Sequence, residues 1–518
     1  MRGILASSIG VTCAAALALP LAPPAVASAE RPAPTADAAT RAAVNSSTPH
    51  VPEAPGSTQS LPLGPLTHDR ASGAVLGLAP RAVRNFSLLG VVWDDPSAAL
   101  HGRVQVRTRA ASTGEWSDWQ DVETHYTEHG ADPDSAEAAS GRVRGATAPL
   151  WVGESNGVEV RVRPEAGGAE AGGAEAGDPV GGAPEPDAEA GDVDPVDVGS
   201  GDAGSGAVGA GDTGAGEAGA GEAGAGGGDA PPLPAGMRLD LVDPGEAEPD
   251  EAAPSGSGAE APRTGVMTAA AKAASAANSD IVPLGATEIP MLTAEETRRE
   301  LVTLRGSELT EQQQADAHIG PRPSIVTRRG WGADESLREK NFSYTSKVKA
   351  AFVHHTASGN GYSCSQAPSL IRGFYRYHTK SLGWRDIGYN FLVDKCGRIY
   401  EGRAGGVAKA VKGAHTLGFN SKTTGIAVIG SYGSKKPSSK AVKAVARLAA
   451  WKLGLYGMNP KAKTTLTSGG GNLYAKGKKV KMKVISGHRD GFNTSCPGGK
   501  LYKKLSSVRS KAAGYQGR

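Results

Sequence analysis

The segment from Ser486 to Gly498, S-G-H-R-D-G-F-N-T-S-C-P-G, sets His488 and Cys496 eight residues apart. Imidazole and thiolate are the side chains that zinc prefers. A third ligand is offered by His354, which ends the apolar run Ala351-Phe352-Val353 and so sits at the end of an expected buried strand. Two imidazoles and one thiolate leave one of four positions for a water, the arrangement that separates a catalytic zinc from a structural one. No Glu stands beside either ligand motif as it does in H-E-x-x-H peptidases, which argues against those classes.

The elements that must bring these ligands together belong to a chain of very uneven composition. Its 518 residues carry a net charge of +3, but this is the sum of opposed regions. Between Pro164 and Met237 there is no Lys or Arg, and 15 Asp and Glu lie in a Gly/Ala tract too poor in apolar residues to offset chain entropy. From Pro321 to the end, 37 Lys and Arg face 7 Asp and Glu. A basic domain of that kind suits a polyanionic target. Nucleic acid is a poor candidate, because no aromatic stacking platform interleaves with the lysines.

The amino terminus reads as a secretory signal peptide over residues 1–29: Arg2, an apolar stretch from Ile4 to Leu21, and the Ala27-Ser28-Ala29 cleavage pattern. Pro20 interrupts that stretch and Pro23 and Pro24 follow it, so a membrane anchor is not expected and the protein should be secreted, extracellular or wall-associated. Cys13 would leave with the signal peptide. Of the three remaining cysteines, Cys364 and Cys396 lie at loop-like positions and are paired in a disulfide, which leaves Cys496 for metal. The competing pairings would consume Cys496 and dismantle the zinc site.

Residues 30–74 are rich in Pro, Ala, Thr and Ser and read as a disordered leader. Over 75–243 the apolar run Leu88–Trp93 and the alternation in Arg103–Arg109 and Val158–Val162 predict a small β-rich domain of unknown role. The acidic tract, 164–236, is read as an insertion between two strands of one sheet. A linker is expected over 244–320, with one helix near 293–317 opened by a Thr293/Glu296 capping box. From 321 to 510 short apolar strands alternate with helices, one of them capped by Ser438, which predicts an α/β domain with a central mixed sheet flanked by helices.

Residues from about Ile325 to Leu505 resemble the peptidoglycan recognition protein family, which includes zinc-dependent N-acetylmuramoyl-L-alanine amidases. The resemblance rests on an ordered set: Ser324–Ala333, Val353-His354-His355-Thr356-Ala357, Gly383–Phe391, Tyr400-Glu401-Gly402-Arg403, Gly413-Ala414-His415-Thr416, Gly425–Val428 and the His488–Cys496 segment. It implies zinc held by His354, His488 and Cys496. Tyr389 falls on the position whose hydroxyl approaches the metal-bound water and the substrate carbonyl, and Thr494 on a second active-site position. The implied reaction is hydrolysis of the amide joining N-acetylmuramic acid to L-alanine in peptidoglycan, and the basic charge adds anionic wall polymers as expected partners. The family also holds receptors that bind peptidoglycan without cutting it, and that reading stays open.

Two further residues are candidates for substrate. His415 either lines the groove, as the resemblance suggests, or caps a loop. Arg403 either meets a stem-peptide carboxylate through its forked guanidinium or is a surface arginine. His355, adjacent to His354 on the strand, points to the opposite face. Trp331, Trp384 and His378 are read as packing residues.

Overall fold

The computed structural model describes residues 56–69, 73–124, 126, 128–165, 231–246 and 267–518. The expected signal peptide, most of the acidic tract and part of the expected linker lie outside them.

Eight strands form the N-terminal sheet: β1 (Ser57–Pro62), β2 (Gly64–Asp69), β3 (Gly73–Trp93), β4 (Gly102–Ala110), β5 (Gln120–Val122), β6 (Gly145–Ala146), β7 (Leu150–Pro164) and β8 (Arg238–Asp243). Their order is β1-β8-β3-β7-β4-β5, with β2 and β6 also paired to β3. β7 and β8, which bracket the acidic tract, both pair with β3. Strand structure begins at Ser57, inside the stretch read as leader. S-T-Q-S-L-P carries no alternating apolar signal of its own, and β1 is held by its antiparallel partner β8.

The last part of β3, from Phe86 to Trp93, is buried on both faces. Leu89, Val91 and Trp93 pack with Val104, Val158, Val160, Leu239 and Leu241 in the N-terminal core. Leu88 and Val92, on the other face of the pleat, join Leu370, Ile371 and Phe374 of the C-terminal domain. The approach is close: a Cβ on Gly90 would lie 2.2 Å from the Tyr377 hydroxyl, which donates to the Thr147 carbonyl at 3.0 Å. The two domains therefore share a core.

The linker expected over 244–320 is largely part of the C-terminal domain. Helix α1 (Ala269–Ala276), strand β9 (Glu288–Ile289), helix α2 (Ala294–Arg305) and the short helix α3 (Glu311–Ala315) precede the region where that domain was expected to begin. Thr293 caps α2 in the expected capping box, but the expected single helix is broken after Arg305 by a 3₁₀ turn. β9 pairs with β10 (Ile325–Val326), and Asn278 donates to the Glu401 carboxylate at 2.9 Å while accepting from Val407 N at 2.8 Å. These buried polar contacts, with Val282, Ile289, Leu301 and Ile319 in the C-terminal core, order the segment.

The central sheet continues with β11 (Ala350–His355), β12 (Phe391–Val393), β13 (Ile399–Glu401), β14 (Thr423–Val428) and β17 (Ile485–Gly487), while β15 (Lys463–Thr467) and β16 (Lys479–Lys483) form a separate hairpin. The seven-stranded order is β17-β11-β14-β12-β13-β10-β9, a mixed sheet whose members from β17 to β12 are parallel. Helix α4 (Ala367–Arg376) joins the core that Leu88 and Val92 enter. Helix α5 (Ser439–Gly454), capped by the Ser438 hydroxyl, packs with α7 (Leu505–Tyr515) in the other main core, after the short α6 (Gly499–Tyr502). Cys364 and Cys396 form a disulfide joining the entry of α4 to the turn after β12. No helix among the described residues is long and apolar enough to cross a membrane.

Candidate metal centre

β11 and β17 are parallel neighbours with Val353 opposite Gly487, so the next residue of each strand, His354 and His488, emerges side by side at the carboxyl end of the sheet. Their rings lie 4.6 Å apart, centroid to centroid. Cys496 returns to them through a tight loop: Arg489 N donates to the Cys496 carbonyl at 3.0 Å, and Cys496 N donates to Thr494 Oγ1 at 3.1 Å. The Cys496 Sγ then sits 3.8 Å from His354 Nδ1. Sequence reasoning singled out these three residues, and the fold brings them together.

A fourth residue joins them that the sequence did not single out. His129, from the N-terminal domain, has a ring centroid 4.5 Å from that of His488, and the four ligand atoms of His129, His354, His488 and Cys496 lie within 4.8 Å of one another. The one available signal was the acidic, His-bearing run Glu123-Thr124-His125-Tyr126-Thr127-Glu128-His129 in a chain with only 11 histidines.

The donor set fits a metal ion. Among the described residues both ring nitrogens of His129 are buried with no hydrogen-bond partner, and those of His488 are buried beside the Glu128 backbone. Burial, reinforced by the neighbouring imidazoles, holds His354, His488 and His129 well below the ordinary imidazole range, and burial pushes the Cys496 thiol well above its own. Neutral imidazoles and a desolvated thiol packed around one point match a site in which a cation compensates them, and His and Cys are zinc donors.

His415 orients His354. Thr423 Oγ1 donates its proton to the Phe419 carbonyl at 2.5 Å and so can accept from His415 Nε2, 3.4 Å away. His415 Nδ1 lies 3.2 Å from His354 Nε2 and 3.0 Å from Thr416 Oγ1; where it accepts from His354, the His354 Nδ1 lone pair faces Cys496. His415 is fully buried and lines no groove, and a Cβ on Gly425 would come within 2.4 Å of its ring. In the folded chain His415 meets His354 rather than solvent. Replacing His415 with alanine is expected to weaken metal affinity about 10–100-fold while leaving the ligands in place, as competition against a chelator would show.

The other predicted residues gather around the same point. Tyr389 is buried, its ring centroid 5.5 Å from that of His354 and its hydroxyl 3.4 Å from that of Tyr126. Thr494 Oγ1 donates to Glu128 at 2.7 Å. Arg403 is not a surface arginine: it is buried and forked onto Glu137 with two 2.9 Å hydrogen bonds. His355 faces away, accepting from Tyr432 N at 3.2 Å. Trp384 and His378 pack against each other, and His378 also lies 2.8 Å from the Tyr126 hydroxyl.

Comparison with known proteins separates the two domains. Residues 344–499 match the family described as N-acetylmuramoyl-L-alanine amidase, and residues 40–189 match the one described as Rv3811 N-terminal galactose-binding domain-like. The chain is 30% identical to peptidoglycan-recognition protein SC2 of Drosophila simulans over 182 residues, 35% of this chain and 84% of that protein. It is 31% identical to peptidoglycan-recognition protein 1 of Holotrichia diomphalia over 184 residues, 35% of this chain and 79% of that protein. Human N-acetylmuramoyl-L-alanine amidase is 30% identical over 185 residues, which are 35% of this chain and 28% of the human protein.

Proposed function

Because the chain belongs to the peptidoglycan recognition protein family, we propose that it hydrolyses the amide between N-acetylmuramic acid and L-alanine, with His354, His488 and Cys496 as zinc ligands. The observation that carries this reading is the convergence of those ligands with Tyr389 at the end of the parallel strands. Zinc there supplies polarisation of the scissile carbonyl and a water of lowered pKa. His415 keeps the His354 tautomer that presents Nδ1. Burial, with smaller contributions from Tyr126 and Cys496, pushes the Tyr389 phenol well above its ordinary range, so its hydroxyl stays protonated and can donate to the oxygen that gains charge. Thr494, hydrogen-bonded to the backbone of Cys496, offers a second hydroxyl at the same edge.

The thiolate favours hydrolysis over recognition alone, since binding a muramyl peptide has no use for a zinc ligand set. The excess of 37 basic over 7 acidic residues from Pro321 onward would concentrate the exported protein on an anionic wall, with a salt-dependent affinity. Zinc-loaded protein given a defined muramyl peptide is expected to release a stem peptide with a free L-alanine amine, detected by mass spectrometry. Binding of the muramyl peptide with no such product, even from the variants described below, contradicts the hydrolase reading.

A further inference from the structure

The metal centre is sealed: His354 and His488 are 0% exposed, Tyr389 1% and Cys496 2%. What covers it is the stretch of the N-terminal domain between β5 and β6. Four carboxylates of that stretch each land on the C-terminal domain. Glu128 accepts from Thr494, Asp132 accepts from Gly418 N at 3.1 Å and Asn420 Nδ2 at 2.8 Å, Asp134 pairs with Lys476 at 2.6 Å, and Glu137 takes the Arg403 fork. Tyr126 stacks parallel to Trp384 and places its hydroxyl near Tyr389. Thr494, Arg403 and Tyr389 are residues that the sequence assigned to catalysis or substrate, and here each is engaged by the chain's own side chains.

We propose that His129 is a fourth metal ligand supplied by the N-terminal domain, and that Tyr126 with residues 128–142 is a built-in occupant of the substrate groove, so that the folded chain is a resting form. The proposal rests on the hydrolase reading for its consequence, but its metal chemistry stands separately. Three imidazoles and one thiolate complete a tetrahedral zinc site of the closed, structural kind. Opening it requires His129 to leave, and the acidic stretch must then leave with it. The coupling is reciprocal: His129 tightens the metal, and the metal holds the stretch in the groove.

Cobalt(II) substitution of the full chain reports the number of protein ligands independently of activity. The wild type is expected to give a four-coordinate thiolate–imidazole spectrum that added azide leaves unchanged. In His129→Ala azide is expected to shift the spectrum, and zinc affinity should fall at least about tenfold. Glu137→Lys keeps all four ligands and sets a cation against Arg403, so it should make the cobalt site azide-responsive without removing a donor. Both variants are expected to release stem peptide at least about tenfold faster than the wild type, because a competent fraction held low by docking limits the apparent rate. Near-ultraviolet circular dichroism checks that each variant remains folded. A wild-type cobalt spectrum that responds to azide as the variants do overturns the proposal. So do variants whose zinc affinity and azide response match those of the wild type. If azide access changes as stated but no form hydrolyses muramyl peptide, the fourth ligand stands and the hydrolase reading fails.

Discussion

Replacing Cys496 with serine is expected to weaken zinc binding by well over about 100-fold and to lower amide hydrolysis by about three orders of magnitude. The thiol is 2% exposed, and its sulfur lies 3.8 Å from His354 Nδ1. Cysteine is the one donor of the set that can carry a negative charge, and burial already pushes its thiol far above the usual range in the absence of a cation. A serine hydroxyl ionises far less readily, so the substituted site would confront the metal with neutral donors only. The loop should survive, because the backbone groups of residue 496 that bond Arg489 N and Thr494 Oγ1 are untouched. Metal analysis, product release and thermal melting measured together check this: lost metal and lost product with little change in melting temperature is the expected pattern.

Tyr389→Phe should lower kcat about 10²–10³-fold with metal content unchanged, the loss typical of removing one donor to a developing oxyanion. The phenol is buried beside His354, and among the described residues its hydroxyl lies 3.4 Å from the Tyr126 hydroxyl. The comparison belongs in a His129→Ala background, where docking of the N-terminal stretch does not mask the chemical step. There the effect should fall on kcat with KM little changed, because the donation strengthens as charge builds on the substrate oxygen. A loss confined to KM would instead assign Tyr389 to ground-state binding.

The C-terminal domain was legible because its signals are local. The apolar run before His354 falls within β11, and the short apolar stretch before His488 forms β17, each a signal carried by its own segment. Ser438 caps α5 through its own side chain, and Thr293 caps α2 with Glu296 three residues on. Where the sequence misled, the determinant was distant in the chain. β1 is a strand because β8 pairs with it, and the stretch before Pro321 is ordered by Asn278 reaching Glu401. Residue type could not reveal that Arg403 is engaged by Glu137 or that His415 contacts His354. His129 was missed for the same reason: a histidine on an irregular connection of a β domain carries no periodicity that aims it at a sheet far downstream.

The central claim is that this chain uses water to cut one amide. Zinc-loaded His129→Ala protein, incubated with a defined muramyl peptide in ¹⁸O-enriched water, tests it most directly. Hydrolysis at the proposed bond places one ¹⁸O atom in the lactyl carboxylate of the muramic acid product and leaves the stem peptide unlabelled with a free L-alanine amine. A label in the peptide carboxylates, or intact muramyl peptide under conditions where the protein binds both it and zinc, contradicts the account.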